Sequence, residues 1–113
     1  MIDGFVRVGR LRDVPPGKLK QFECDGHEVT VANAGGTIYA FDAYCPHAAW
    51  PLAWGGLEPG PPARVQCGLH GWLFDLASGD AILPPEPQCL PIWESRIVDG
   101  HIEVRCVEDG IAL

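Results

Sequence analysis

The segment QCGLHGW, residues 66–72, places the thiol of Cys67 and the imidazole of His70 in one glycine-rich stretch. Gly68 and Gly71 disfavour a helix, so the segment is predicted to form a tight loop. Cysteine and histidine side chains three positions apart are typical ligands of a transition metal. The stretch therefore predicts half of a metal site, and a second stretch must supply the other half.

The other half is found in CPHAAW, residues 45–50, where Cys45 and His47 form a second mixed pair. A structural zinc site of the Cys2His2 type instead pairs cysteine with cysteine and histidine with histidine along the chain. A mixed pair suits a two-iron centre with unequal ends, because each loop then supplies a thiolate to one iron and an imidazole to the other. At this point zinc remains the alternative.

The segments on either side have the patterns of antiparallel sheet. Two pairs of β-rich runs are each joined by an Asp-Gly turn: residues 21–24 with 27–34, around Asp25 and Gly26, and residues 91–98 with 101–107, around Asp99 and Gly100. Such turns favour two-residue hairpins. In the second hairpin Ile102, Val104 and Cys106 alternate and are predicted to share one face. A further strand is predicted at residues 37–44, and one helical turn is predicted before Pro15.

Composition limits the possible partners. The chain has 113 residues, which suits one domain with one core. Its net charge of -7 disfavours binding to nucleic acid or to an anionic membrane surface. The sequence has no signal-peptide pattern and no apolar run of the roughly 20 residues that a membrane span needs, so we expect a cytoplasmic protein. Cys24, Cys89 and Cys106 are expected to be buried apolar side chains, not ligands.

CPH at residues 45–47 and CGLHGWLFDLASGD at residues 67–80 resemble the Rieske [2Fe-2S] proteins, in which two histidines replace two cysteines on one iron. The resemblance extends over most of the chain. It implies an all-β Rieske (ISP-like) fold with an antiparallel β-sandwich base and an inserted cluster-binding subdomain. Residues 1–113 would then form a single Rieske domain, with the subdomain at about residues 43–90.

The same resemblance implies the cofactor and its ligands. One [2Fe-2S] cluster per chain would be held by Cys45, His47, Cys67 and His70. Gly68 and Gly71 would let the backbone come close and point amide donors at the sulfides. No residue would be catalytic, because a protein of this kind carries electrons and is not itself an enzyme.

The resemblance also implies the partners. The protein is expected to be a soluble, monomeric ferredoxin that shuttles single electrons from an NAD(P)H-dependent flavin reductase to a terminal oxygenase. Gly71 favours the ferredoxins of aromatic-ring dioxygenases, whereas Trp72 and residues 88–93 favour those of toluene-type diiron monooxygenases. The alternatives are the Rieske-like small subunit of a nitrite reductase and a zinc-bearing or cluster-free interaction module.

Four positions predict the redox potential by comparison with high-potential Rieske proteins. Trp50 and Leu69 stand where those proteins carry two cysteines joined in a disulfide. Trp72 and Phe74 stand where they carry serine and tyrosine hydroxyls that donate hydrogen bonds to sulfur. Without these donors the reduced cluster is less stabilised, so we expect a potential in the lower part of the Rieske range and little pH dependence between pH 6 and 8.

Two further segments and three side chains carry smaller expectations. Residues 48–54 (AAWPLAW) predict either an apolar docking rim or a shield for the cluster. Residues 82–91 resemble the proline-bearing loop that covers the cluster in the family, and a plain connector is the alternative. His27 and His101 are expected to be solvated, and Trp93 is expected in the core.

Overall fold

Eleven short strands form the framework within the residues that the structure describes. The structure is a computed structural model, which describes residues 4–24, 26–46, 50–69, 71–83 and 86–105. The strands are β1 (Val6–Arg10), β2 (Leu19–Cys24), β3 (His27–Ala34), β4 (Thr37–Asp42), β5 (Gly56–Glu58), β6 (Arg64–Gln66), β7 (Leu73–Asp75), β8 (Asp80–Leu83), β9 (Glu86–Cys89), β10 (Ile92–Val98) and β11 (His101–Arg105).

The strands form two antiparallel sheets. The base sheet has six strands in the order β1-β11-β10-β4-β3-β2, and the site sheet has five in the order β5-β6-β7-β8-β9. All strands of the site sheet come from the chain between β4 and β10. The predicted all-β antiparallel fold is confirmed. The assignment of residues 1–113 to one domain, with a cluster-binding subdomain at about residues 43–90, stays a prediction.

Both Asp-Gly hairpins are confirmed. β2 pairs with β3, and β10 pairs with β11, each across its turn. Asp99 and Gly100 have φ angles of 50° and 76°. Positive φ at both central residues is what a type I′ turn requires, and this turn matches the twist of the strands that it joins.

Two smaller elements are close to expectation. The strand predicted at residues 37–44 ends at Asp42, because Tyr44 leaves the ladder and pairs with Pro51 in an isolated bridge. The predicted helical turn is a 3₁₀ turn at Leu11–Asp13. Among the described residues, none forms a helix long and apolar enough to cross a membrane.

Buried side chains form two cores, and β3 contributes to both. Val29 and Val31 lie in one core, whereas Ala32 and Ala34 lie in the other. The base core consists of Val14, Cys24, Val29, Val31, Ala40, Trp93, Ile102 and Val104. The site core consists of Ala32, Ala34, Phe41, Cys45, Leu52, Ala63, Val65, Cys67, Phe74, Leu76, Ala81 and Leu90. Because β3 is buried on both faces, it joins the base sheet to the region that carries the predicted ligands.

The expected burial of the C-terminal hairpin is confirmed where the structure describes it. Trp93 is buried, and its indole N–H donates to the Asp42 carboxylate at 2.8 Å. Ile102 and Val104 are fully buried in the base core, as their alternation predicted. Cys106 lies outside the described residues.

The remaining cysteines and histidines differ in burial. Cys24 is buried, as expected, but Cys89 is exposed. The expected burial of Cys89 is wrong because β9, which it ends, is the edge strand of the site sheet. His27 is exposed, as predicted, and His101 is half-buried, with a ring nitrogen 3.1 Å from the Asp99 carbonyl oxygen.

A nearly buried carboxylate ties together three strands of the base sheet. Glu103 in β11 accepts hydrogen bonds from Arg96 in β10 at 2.8 Å and from Arg7 in β1 at 3.0 Å. The hydrogen bond from Arg96, followed by that from Arg7, lowers the pKa of Glu103 below its ordinary value. The carboxylate therefore stays charged and cross-links the three strands.

Candidate metal centre

Cys45 lies at the end of a narrow hydrogen-bonded ladder that follows β4. The Leu52 N–H donates to the Ala43 carbonyl at 2.8 Å, and the Cys45 N–H donates to the Trp50 carbonyl at 2.9 Å. These bonds close residues 45–50 into the Cys45 loop. The Cys45 side chain is only 1% exposed, so the ladder holds its thiol inside the site core.

Cys67 follows β6 directly and begins a second closed loop, residues 67–72, here the Cys67 loop. The Cys67 N–H donates to the Trp72 carbonyl at 2.8 Å, and the Gly71 N–H donates to the Cys67 carbonyl at 3.0 Å. Gly71 has a φ of 76°, a conformation that glycine adopts without strain. Its amide thus closes the turn, contrary to the expectation that it would point at a sulfide.

The two loops are built alike. Each runs over six residues from a cysteine to a tryptophan, and the first N–H donates to the last carbonyl. Cys45 and Cys67 both lie in the site core and are both 1% exposed. Two soft ligands are thus brought into one apolar region that excludes water. His47 and His70 lie outside the described residues, so their role as nitrogen ligands stays a prediction.

The segment after the Cys45 loop touches Gln66, the residue just before the Cys67 loop, and sequence analysis did not identify the residue that allows this contact. Gly55 lies so close to the backbone of Gln66 that a Cβ atom at position 55 would be 1.8 Å from the Gln66 carbonyl oxygen. The adjacent pair Gly55 and Gly56 was the available signal. Two consecutive glycines in a sequence do not show which of them lies against another part of the main chain, so this pair alone did not identify Gly55.

Aromatic side chains surround the two loops. Trp50 and Trp54 form an edge-to-face pair with ring centroids 5.5 Å apart. Trp50 is half-buried and packs on the site core, but Trp54 is 69% exposed. Phe74 is fully buried, with its ring centroid 6.1 Å from that of Trp72. Of the two tryptophans in residues 48–54, which were expected to shield the cluster or to form a docking rim, Trp50 is thus largely covered and Trp54 is exposed to solvent.

Comparison with known proteins identifies the family. A family model described as the Rieske [2Fe-2S] domain matches residues 4–94. The chain belongs to the Rieske [2Fe-2S] family. Its cofactor is accordingly a Rieske-type [2Fe-2S] cluster, which leaves the zinc alternative without support.

Two relatives of this Rieske chain are named as ferredoxin components of dioxygenase systems. It is 31% identical over 93 residues to the biphenyl dioxygenase ferredoxin subunit of Pseudomonas sp. (strain KKS102), covering 82% of this chain and 84% of that protein. It is 31% identical over 105 residues to the ferredoxin component of the naphthalene 1,2-dioxygenase/salicylate 5-hydroxylase systems of Ralstonia sp, covering 93% of this chain and 98% of that protein.

A solved structure gives the same result for the fold. The ferredoxin of carbazole 1,9a-dioxygenase from Nocardioides aromaticivorans IC177 superposes with a TM-score of 0.82 at 29% identity, covering 91% of this chain and 98% of that chain. The Rieske chain is thus an electron-transfer ferredoxin and not a catalytic enzyme, as predicted.

The residues of the Rieske chain fit the family's cofactor. A Rieske cluster needs two thiolates on one iron and two imidazoles on the other. The structure supplies two buried thiols, at Cys45 and Cys67, in matched loops of one core. The sequence supplies one imidazole within each loop, at His47 and His70. This donor set matches the two unequal ends of the cluster.

The motif FDLASG forms a tight turn between β7 and β8. The Asp75 carboxylate accepts hydrogen bonds from the Ala77 N–H at 2.8 Å and from the Ser78 N–H at 3.1 Å. The Gly79 carbonyl then accepts a hydrogen bond from the Leu90 N–H at 2.7 Å. The motif therefore fastens the turn of the site sheet to the end of β9, which is a structural role.

The proline-bearing segment at residues 82–91 is largely strand and not a loop. It contains the end of β8 and all of β9, which pair in an antiparallel ladder with an irregular register. Pro84 and Pro85, between the two strands, lie outside the described residues. Whether this segment covers the cluster therefore stays a prediction.

An acidic cleft of about 450 Å³ lies beside the Cys45 loop. Its lining includes Glu23, Glu28, Asp42 and Tyr44. The Tyr44 hydroxyl donates a hydrogen bond to the Glu28 carboxylate, and this contact raises the pKa of Tyr44. The phenol is therefore neutral at physiological pH, so the charge of the cleft comes from its carboxylates.

Proposed function

We propose that this Rieske ferredoxin carries single electrons from a flavin-containing, NAD(P)H-dependent reductase to the terminal oxygenase of an aromatic-ring dioxygenase system. The observation that carries the proposal is the pair of matched loops with buried cysteines, in a chain that aligns with dioxygenase ferredoxins over nearly their full length. Both curated relatives described above are named as components of such systems. We further propose that the protein works as a monomer in the cytoplasm.

The proposed ligands are Cys45, His47, Cys67 and His70, two from each loop. When bound, the cluster accepts and releases one electron at a time. The chain's own contribution is to hold the two thiols in a water-free core, with loop ends fixed by the Cys45–Trp50 and Cys67–Trp72 backbone hydrogen bonds. Pre-organised ligands reduce the rearrangement that accompanies a change of redox state.

We propose that the cluster has a low potential within the Rieske range of about -150 to +300 mV. Phe74 is fully buried, its ring lies beside that of Trp72, and neither side chain carries a hydroxyl. High-potential Rieske proteins stabilise the reduced cluster with hydroxyl donors at these two positions. A low potential suits electrons from a flavoprotein, whereas a strongly positive midpoint in voltammetry would contradict the proposal.

We propose that the terminal oxygenase docks on the exposed apolar side chains beside the two loops. Trp54 is 69% exposed, and Leu69, inside the Cys67 loop, is 41% exposed. Small apolar patches of this kind suit the transient interfaces of redox partners. Docking here would bring the oxygenase close to the proposed histidine ligands.

The proposal is tested with purified protein. We expect about two irons and two acid-labile sulfides per chain and a paramagnetic signal on reduction. His47→Ser and His70→Ser should each abolish that signal, and His101→Ser, in β11, is the matched control that should keep it. Electron delivery is then measured with an aromatic-ring dioxygenase and, separately, with a toluene-type diiron monooxygenase. A colourless protein, or faster turnover of the monooxygenase, would refute the corresponding part of the proposal.

A further inference from the structure

We propose that Gly55 is a positioning residue for the iron–sulfur cluster, because its missing side chain lets the segment that follows the Cys45 loop pack against the main chain of Gln66 and Gly68, on either side of Cys67. The inference deepens the proposed function and rests on the ligand set given there. Gly55 follows the 3₁₀ turn Leu52–Trp54 and precedes β5. It therefore connects the Cys45 loop to the strand that pairs with β6.

The contact at Gly55 leaves no room for a side chain. A Cβ atom at this position would lie 1.8 Å from the Gln66 carbonyl oxygen and 3.2 Å from the Gly68 nitrogen. Carbon and oxygen normally approach no closer than about 3.3 Å, so relief of the clash requires a movement of about 1.5 Å. The obstructing atoms belong to the main chain, so no change of rotamer can supply that movement.

The contact is reciprocal. A Cβ atom on Gly68 would lie 3.3 Å from the Trp54 carbonyl oxygen and 3.6 Å from the Trp50 indole nitrogen. The Cys67 loop thus packs on the Cys45 loop itself as well as on the segment that follows it. At Gly68 the clash is milder, so a slight shift of the neighbours would accommodate alanine.

The requirement for glycine at position 55 is one of space and not of backbone conformation. Gly55 has a φ of -92°, in an extended conformation and outside the positive-φ region that favours glycine. Gly71 differs, because its φ of 76° is itself unfavourable for other residues. Any defect of an alanine at position 55 therefore reports the lost contact and not backbone strain.

A displacement at Gly55 would reach both proposed cysteine ligands. Gly56 pairs with Gln66 in the β5–β6 ladder, so the antiparallel register places Gly55 opposite Cys67. In the other direction, the Gly55 N–H donates to the carbonyl of the fully buried Leu52 at 3.0 Å. The Leu52 N–H in turn donates to the Ala43 carbonyl, in the ladder that ends at Cys45. Gly55 thus sets the separation of the two loops.

The test compares three alanine variants of the holoprotein. Gly55→Ala has the severe main-chain clash, Gly68→Ala has the mild one, and Gly56→Ala is the matched control, because its nearest atom is the Gln66 side-chain oxygen at 3.9 Å. For each we would measure iron per chain, the half-life of the visible chromophore in excess chelator, and the electron paramagnetic resonance g values after reduction. Far-UV circular dichroism reports whether the sheets are retained.

We expect Gly55→Ala to lose its cluster about tenfold faster than wild type, as for other changes that misplace ligands. Gly68→Ala should shift the g values while keeping most of its iron, and Gly56→Ala should match wild type. Identical half-lives and g values in all three variants would overturn the inference. If Gly55→Ala does not fold, Gly68→Ala decides: unchanged g values would overturn the inference. Wild-type protein without iron and sulfide would instead refute the proposed function.

Discussion

Replacement of Trp54 by alanine is the most direct test of where the oxygenase docks. Trp54 is 69% exposed, and a tryptophan side chain buries up to about 250 Å², so about 170 Å² is available to a partner. At about 25 cal/mol per Å² this area sets an upper limit of about 4 kcal/mol. Because ordering and desolvation offset part of that gain, we expect a loss of about 1 to 2 kcal/mol. The ferredoxin KM of the oxygenase should therefore rise about 5- to 30-fold.

The assay is steady-state oxygen uptake as a function of ferredoxin concentration, with excess reductase and a fixed amount of oxygenase. Trp54→Ala should keep its cluster spectrum, and its unfolding free energy should fall by only about 0.5 to 1.5 kcal/mol, the contribution of the edge-to-face pair with Trp50. Ile97→Ala is the control, because Ile97 is 41% exposed on β10 of the base sheet. An equal KM for the two variants would refute docking at Trp54, and bleaching of the cluster would show that the ring acts as a shield.

Three further changes test the framework. Thr30 is fully buried, and within the described part of the chain its hydroxyl has no hydrogen-bond partner, so Thr30→Val should raise the free energy of unfolding in urea by about 1 kcal/mol or more. Glu103→Gln should lower stability at pH 7. Two arginines hold the pKa of Glu103 in the folded protein below its unfolded value. The stability of wild type relative to Glu103→Gln should therefore be greatest above the unfolded pKa and should disappear as the pH falls through the folded pKa. Thermal unfolding of both proteins at each pH would measure this difference. Gly79→Ala should destabilise the protein more than Gly100→Ala. Both glycines have positive φ, but only at Gly79 would the new Cβ atom clash, at 2.1 Å from the Leu90 carbonyl oxygen. Equal urea midpoints for the two variants would contradict this prediction.

The base sheet could be predicted because its signals are local. Each long hairpin is marked by an Asp-Gly turn between β-rich runs, and the alternation of Ile102 and Val104 identifies the buried face. The site sheet was not predicted as strands. Three of its strands have only three residues, too short for a visible alternation, and they are held by pairing with distant neighbours.

The candidate site was predicted in part, for a comparable reason. The spacing of Cys45 with His47 and of Cys67 with His70 is a local pattern of donor atoms. The expected burial of Cys89 was wrong because an edge position depends on sheet order, which the neighbouring sequence does not encode. Gly55 was missed because its importance comes from Gln66, a residue that reaches it only in the folded chain.

The chain enters and leaves the site sheet at one place on the base. Phe41 pairs with Ile92 between β4 and β10, and the Asp42 N–H donates to the Pro91 carbonyl at 3.1 Å. Once these strands have paired, the ends of the intervening segment are already held together, and its loop-closure entropy has been lost before the site sheet forms. The order of assembly that this favours is base first and site sheet second, with the segment that carries Cys45 and Cys67 tethered at both ends while its short strands pair.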